Sequence, residues 1–423
     1  MRYILILFIF FSVIANAYGF KGYVKTLNIQ VNIKKVLSSD KGGIILFGDE
    51  TKEIKNVFFT KKRVGLFNTK VVADEIPTGE FYSITVALEF DKRGKLIHNS
   101  TLLGDEMLLG SHSSKSYHLE SIIRDGNNYF IIASQNKLVS LSSSSNSDLS
   151  SLIANTMYKR EICFKIDNNL NKLNKKPLDF FTSKDTKWLL NSVNDGYIEI
   201  LGGKDNLSFM KLDKNCNITK KPRGINFNKN NIFLLKDTLV ANDNVIILGR
   251  LYANSHLELY LTKIDSKLEN IFWVKKIKNI VGNNIIKTVD GYIIVGKIYK
   301  SNKDVDAVIL KIDKDGNKIW QKTFGGKNFD EFKNIATTSD NGYIISGTTK
   351  SYGKGKKDIW ILKINKSGKI SWGRTFGGKG NDWTIDMTKT TDGGFIIAGK
   401  SDSFKDGEGG IYLIKIDKDG NFN

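Results

Sequence analysis

The sequence predicts an all-β fold, a seven-bladed β-propeller of four-stranded antiparallel blades, and three observations carry that prediction. One passage is spelled twice, FGGKNFDEFKNIATTSDNGYIISG from Phe324 and FGGKGNDWTIDMTKTTDGGFIIAG from Phe376, 52 residues apart. Two landmarks of that passage recur through the chain: an apolar run closing on a small residue, and an alternating run closing on a polar turn. The segments between are short, rich in β-branched residues and punctuated by Asp-Gly and Asn-Gly, with no long helical period. A period near 50 made of short strands is the signature of propeller blades.

The first residues read as an export signal. One arginine precedes an apolar run from Ile4 to Ala15, and Ala15-Asn16-Ala17 offers a small-x-small cleavage site. That run is too short for the ~20 apolar residues a membrane-spanning helix needs. Residues 1–17 are therefore expected to be a signal peptide and 18–423 a single propeller domain.

The landmarks give the blades in order. Gly48 and Asp91 mark blade one (29–104), and Ser134 and Asp167 mark blade two (117–181). Gly202 with Asp213, Gly249 with Asp265 and Gly296 with Asp313 mark blades three (186–227), four (231–278) and five (283–326). Gly347 with Asn365 and Gly399 with Asp417 mark blades six (332–378) and seven (383–423). In blade six, FKNIATTSD, GYIISGTTK, DIWILKINKSG and KISWGRTF supply strands a to d, from the axis outward. Blade seven runs out of sequence before strand d. GYVKTL near the N-terminus matches IWQKTF and SWGRTF in spacing, so residues 22–28 are expected to complete that blade and close the ring.

Repeated features read as architecture. Trp273, Trp320 and Trp372 stand at one place in strand d and are expected to pack between blades. Asp313-Lys314-Asp315-Gly316-Asn317 lacks the spaced ligands of a calcium loop and reads as a c–d turn with glycine in the left-handed region. Asp330 and Asp382 lie where strand a begins, placed either to hold the loop through backbone N–H groups or to face a ligand. Cys163 and Cys216 differ by seven residues of axial offset in the repeat, ~23 Å at strand rise, and are expected to remain unpaired.

Departures from the repeat are the candidates for binding. From the end of strand b to the c-strand landmark takes 11 to 18 residues in blades three to seven, but 43 in blade one and 33 in blade two. Both insertions leave the rim that also carries the FGG loops. They read either as binding loops on a rigid scaffold or as drifted surface loops. The first mixes aromatic and basic residues (Phe58, Phe59, Lys61, Arg63) and could fold as an extra hairpin. The second is serine-rich. Trp383 has no aromatic counterpart in blade six and joins Asp330 and Asp382 on the candidate face. The four histidines, His98, His112, His118 and His256, form neither a metal-ligand spacing nor an assignable triad.

The net charge of +20 comes almost wholly from lysine, with eight arginines among 64 basic residues. Arginine is the better reader of base edges, so specific nucleic-acid recognition is not expected. Lysines on exposed strands keep a sheet protein soluble and block edge pairing.

TFGG, the aspartate six positions after its Phe, DGGF/YIIAG and LKIDKDGNxxW together resemble the repeats of secreted bacterial β-propeller proteins. More distantly they are similar to quinoprotein-type propellers. The resemblance is sharp over residues 270–420 and reduces to the landmarks over 29–230. It implies an extracytoplasmic propeller and little about activity. KIDKDGNKIW departs by one residue from the quinoprotein docking spacing, and no set of cofactor ligands stands out.

These readings predict a secreted, non-catalytic binding or interaction scaffold, periplasmic or extracellular, monomeric and without cofactor or metal. Its expected partner is an envelope protein or polysaccharide. The alternative is an extracytoplasmic enzyme on the same ring, a polysaccharide hydrolase or lyase, or less favoured a quinoprotein-like oxidoreductase. A third reading is electrostatic attachment to anionic envelope polymers. Fold does not choose among them.

Overall fold

The computed structural model describes residues 23–27, 31–39, 43–64, 68–90, 95–103, 117–137, 158–183, 187–228, 231–253, 256–301, 304–403 and 410–418. The expected signal peptide, His112 and most of the serine-rich insertion lie outside them. The strands form seven four-stranded antiparallel sheets. Six are ordered as the chain runs, and their inner strands touch in cyclic order with that of the seventh. This is a seven-bladed β-propeller.

Closure uses both ends of the chain. Tyr23–Leu27 pairs antiparallel with Gly410–Ile416, from Tyr23 opposite Lys415 to Leu27 opposite Ile411, and supplies strand d of blade seven. An otherwise open sheet edge is thereby covered.

The core is divided by seam. Seven buried apolar clusters each draw on two adjacent blades; Ile344, Ile359 and Ile361 of blade six, for example, meet Phe395, Ile397 and Ile414 of blade seven. Each blade therefore buries both faces, which is why strands b and c read as almost continuous apolar runs. In blade six Tyr343–Thr349 and Asp358–Ile364 are buried at every residue.

Six of the seven inner strands carry a bulge at one level. The bulge explains the glycine landmark of strand b. A Cβ on Gly296 would collide with the Val281 carbonyl, and one on Gly347 with the Glu331 carbonyl. Blade three has no bulge, and there a larger residue fits. Aligned on Gly196-Tyr197 with Gly291-Tyr292, its counterpart of Gly296 is Leu201 rather than Gly202.

A side chain stitches the blades across every seam, between inner strands except for Asp49, which reaches across from strand b of blade one. The Asp386 carboxylate accepts from the Val36 N–H at 3.0 Å, Asp49 from the Leu119 N–H at 2.8 Å and Ser121 Oγ from the Leu190 N–H at 3.0 Å. The Asn191 amide donates to Thr238 Oγ1 at 2.9 Å, and Asp237 accepts from the Ile285 N–H at 2.9 Å. Asn284 Oδ1 accepts from the Ile335 N–H at 3.0 Å, and the Asn334 amide donates to Asp386 at 3.0 Å. Such bonds contribute about 1 kcal/mol each when made, and more is lost when a buried partner is orphaned.

The cysteines correct the sequence reading: Cys163 and Cys216 form a disulfide, with Cα atoms 6.0 Å apart. An axial offset counted along the repeat holds only for neighbouring blades that are parallel and flat. Packed twisted sheets instead cross at an angle of about 30°, and among the described residues the c–d turns of blades five and six fold over the outer part of the preceding blade. Gly316, in the turn of blade five, packs on Trp273 and Lys275 of blade four. Cys216 occupies the same turn position in blade three, at φ 64°, and so reaches strand c of blade two (Tyr158–Asp167), where Cys163 is wholly buried.

Candidate functional site

In antiparallel blades the b–c and d–a connections leave on the same rim, so the blade-one insertion and the strand ends Lys137 and Tyr158, between which the blade-two insertion lies outside the described residues, share a rim with the FGG loops. In blade one the insertion is a hairpin made by lengthening two strands already in the blade. Strands b and c themselves continue, Ile44–Val64 pairing with Asn68–Phe90 as far as Val64 opposite Asn68. Strand a follows this ribbon only to Glu50 and strand d only to Thr85. Past Glu50, among the described residues, a two-stranded arm runs on with a contour of roughly 45 Å. Phe58, Phe59, Lys61 and Arg63 all lie on it, opposite Asp74, Ala73, Val71 and Thr69.

Asp330 and Asp382 are wholly buried and hold the FGG loops. Asp330 accepts from the Gly326 N–H at 3.0 Å, from Ser351 Oγ at 2.6 Å and from the Thr349 hydroxyl. Asp382 accepts from the Gly378 N–H at 2.9 Å, from Ser403 Oγ at 2.5 Å and from the Ser401 hydroxyl. A second carboxylate converges on each: a Cβ on Gly325 would lie 2.6 Å from Asp330 Oδ2 and 2.7 Å from Asp306 Oδ1. Asp358 stands in the same relation to Asp382. Burial first, and the Asp382 charge second among the raising effects, push its carboxyl above the ordinary range.

Trp383 is half-buried, with the ammonium groups of Lys357 and Lys400 5.9 and 5.8 Å from its ring centroid. Trp273, Trp320 and Trp372 are half-buried as well and join apolar clusters between blades. The Trp273 indole N–H donates to the Lys314 carbonyl of the next blade at 3.2 Å. The acidic turns are closed from within: Asp313 Oδ1 accepts from the N–H groups of Asp315 and Asn317 at 2.9 and 2.8 Å, and those bonds hold its carboxyl below the usual range. His118 Nδ1 lies 3.6 Å from Asp49 at the root of the blade-one arm, a contact that sequence spacing did not suggest.

Two further groups escaped sequence reading. The first is a carboxyl pair, Glu161 of blade two and Glu199 of blade three, both at zero exposure in one seam. Neither oxygen of Glu199 takes a hydrogen bond from a conventional donor. Burial pushes its carboxyl well above the ordinary range, and the Glu161 charge adds to this. The register places Leu46, Ile131, Ile247, Ile294, Ile345 and Ile397 at the position of Glu199 in the other blades. The signal was a glutamate inside GYIEIL.

The second is a set of cations around the axis. Lys34 and Lys35 of blade one, Lys187 of blade three, Lys236 of blade four and Lys333 of blade six all come from inner strands. Lys187 has accessible surface although protein surrounds its ammonium, as expected of a group inside a channel. Burial first, with Lys333 and Lys35 adding, lowers its pKa to about 8. Burial, then Arg250, Lys187 and Lys333, lower that of Lys236 to about 7. Blades one, three and six are not neighbours, so this repulsion acts across the channel.

No protein-family model matches the sequence, and no curated protein matches it. Among solved structures, the plexin A4 extracellular region is similar with a TM-score of 0.50 at 9% identity, covering 91% of this chain and 46% of that one. Trypanosoma rangeli sialidase gives 0.42 at 8% identity over 93% of this chain and 55% of its own. Kuenenia stuttgartiensis hydrazine synthase gives 0.47 at 8% identity over 92% and 98%. This chain thus spans about half the length of the sialidase and plexin chains, and at such identity the likeness concerns the fold alone. Among the described residues no helix is long and apolar enough to cross a membrane.

Proposed function

We propose that this protein is an exported binding scaffold whose partner, an envelope protein or polysaccharide, engages the insertion-bearing rim. The observation that carries this reading is the blade-one arm. A ring with seven packed seams is rigid, whereas a two-stranded ribbon alone is marginal in water. An arm projecting from such a ring is suited to gain its missing contacts from a partner. The disulfide supports an oxidising compartment, in agreement with the export signal expected from the sequence. Asp330 and Asp382 are buried with their carboxylates committed to the FGG loops, and the Glu161–Glu199 pair lies at zero exposure within a seam, which favours binding over acid–base catalysis.

The test replaces residues 54–80 by Asn-Gly, which leaves Glu53 and Phe81, already opposite one another, as the last pair of an ordinary hairpin. Parent and variant serve as baits in an envelope extract, with melting curves to establish that the ring persists. A partner retained by the parent and lost by the folded variant supports the reading. A partner retained equally by both removes the arm from the binding site, and capture by neither defeats the stable-partner proposal.

A further inference from the structure

Inside the ring, cations outnumber the carboxylates that could neutralise them. Lys34 reaches Asp49 at 3.6 Å and Lys35 reaches Asp386 at 3.4 Å. Lys187 donates only to the Lys236 carbonyl, at 3.0 Å. Among the described residues the ammonium groups of Lys236 and Lys333 have no hydrogen bond and no ion pair. Arg250 donates to the Tyr252 hydroxyl at 3.1 Å, while its buried Nε has no acceptor.

The nearby carboxylates are committed elsewhere. Asp237 accepts from the Asn284 amide at 2.6 Å as well as from the Ile285 N–H. Asp386 binds Val36 and Asn334 across two seams. Glu331 is held by Lys297 at 3.2 Å and by Asn283 at 2.8 Å. Blades three, four and six therefore bring ammonium groups without an ion pair to one axis, with only the more distant charges of Asp237 and Glu331 acting on Lys187 and Lys236, a costly arrangement that a bound anion would relieve.

We propose that the central channel is a binding site for a small, multiply charged oxyanion of the phosphate or sulfate type, held by Lys187, Lys236 and Lys333 with Arg250. Lysine supplies point charges that surround such a group without requiring a planar, bidentate partner. Several blades contribute, so the ligand sits on the axis and not in one seam. The site is independent of the arm.

Isothermal titration of the full chain with inorganic tripolyphosphate near pH 7.5, in two buffers of different ionisation enthalpy, tests this. Saturable binding near one per chain is expected. The observed enthalpy should differ between buffers, because the anion draws a proton back onto Lys236. Lys236→Gln and Lys333→Gln should each weaken binding at least ~10-fold, and the former should abolish the buffer dependence. Lys276→Gln, on the exposed outer strand of blade four, should change neither. Absence of saturable binding would overturn the proposal. So would equal weakening by Lys276→Gln, which would mark a bulk-charge effect, or unaltered binding in a folded Lys236→Gln, Lys333→Gln double variant.

Discussion

Glu161 and Glu199 face one another across the seam between blades two and three, where the repeat otherwise places aliphatic side chains. Glu161 aligns with Leu207, Leu259, Ala307, Ile359 and Ile411, and with Thr85 in blade one. With Glu199 held protonated, the two carboxyls can share one proton, an arrangement stable only while it stays bound. Because the folded-state pKa of Glu199 lies above its unfolded value, the native state binds the extra proton. Stability should therefore fall as pH rises above about 4.3, the unfolded value. Glu199→Ile restores the repeat's residue and removes this linkage. It should raise stability at pH 8 by roughly 1–3 kcal/mol with a smaller effect at pH 4.5, as read from urea unfolding at both values. A variant destabilised equally at both would show that the pair contributes more as a polar contact than it costs by burial.

The disulfide joins residues 53 apart between blades two and three. Chain entropy alone assigns such a loop about 4 kcal/mol. Cys163→Ala with Cys216→Ala should lose most of this in denaturant unfolding. Cys216 holds a left-handed backbone at φ 64°, where glycine is at ease, so Cys163→Ala with Cys216→Gly should recover part of the loss. Parent and variants of equal stability would mean that the covalent link adds nothing to a seam already filled by Phe130, Leu190 and Tyr197.

Much of the ring was legible because its signals are local and repeated. Apolar runs, acidic turns and the glycine landmark each express one contact made again in successive blades. The role of GYVKTL was legible too, since its spacing matched strand d and one strand was missing. What escaped were contacts between blades. The disulfide depends on a turn crossing the preceding sheet, the channel cations on seven strands converging, and Glu199 on a register set by the missing bulge in blade three. Taking Gly202 as the landmark shifted that strand by one residue, which moves every side chain to the other face.

Closure by Tyr23–Leu27 makes the first strand essential to the last blade. Deleting residues 18–28 should expose the edge of Gly410–Ile416 and lower the melting temperature of the whole ring in a single transition. Self-association through that edge should follow, measurable by light scattering. A truncated chain that melts like the parent and remains monodisperse would show that blade seven is stable with three strands. The seven seams would then suffice without the outer strand.

Asp382 spends its carboxylate on one backbone N–H, that of Gly378 in the loop leading into strand a of blade seven, and on two hydroxyls at the end of strand b, those of Ser401 and Ser403. Asp382→Ala leaves the Gly378 N–H and the Ser401 and Ser403 hydroxyls without their acceptor, and should cost about 1–3 kcal/mol. Asp382→Asn keeps one acceptor oxygen but must place an NH2 group against donors, so it should recover only part of that loss. The Asp358 carboxyl responds in the opposite sense. Removing the Asp382 charge takes away one cause of its raised pKa, so its titration, followed by NMR, should move down in Asp382→Asn. An unchanged Asp358 titration in the folded variant would show that burial alone sets its proton affinity. The two carboxylates beneath the FGG loop would then act independently, each as a separate anchor.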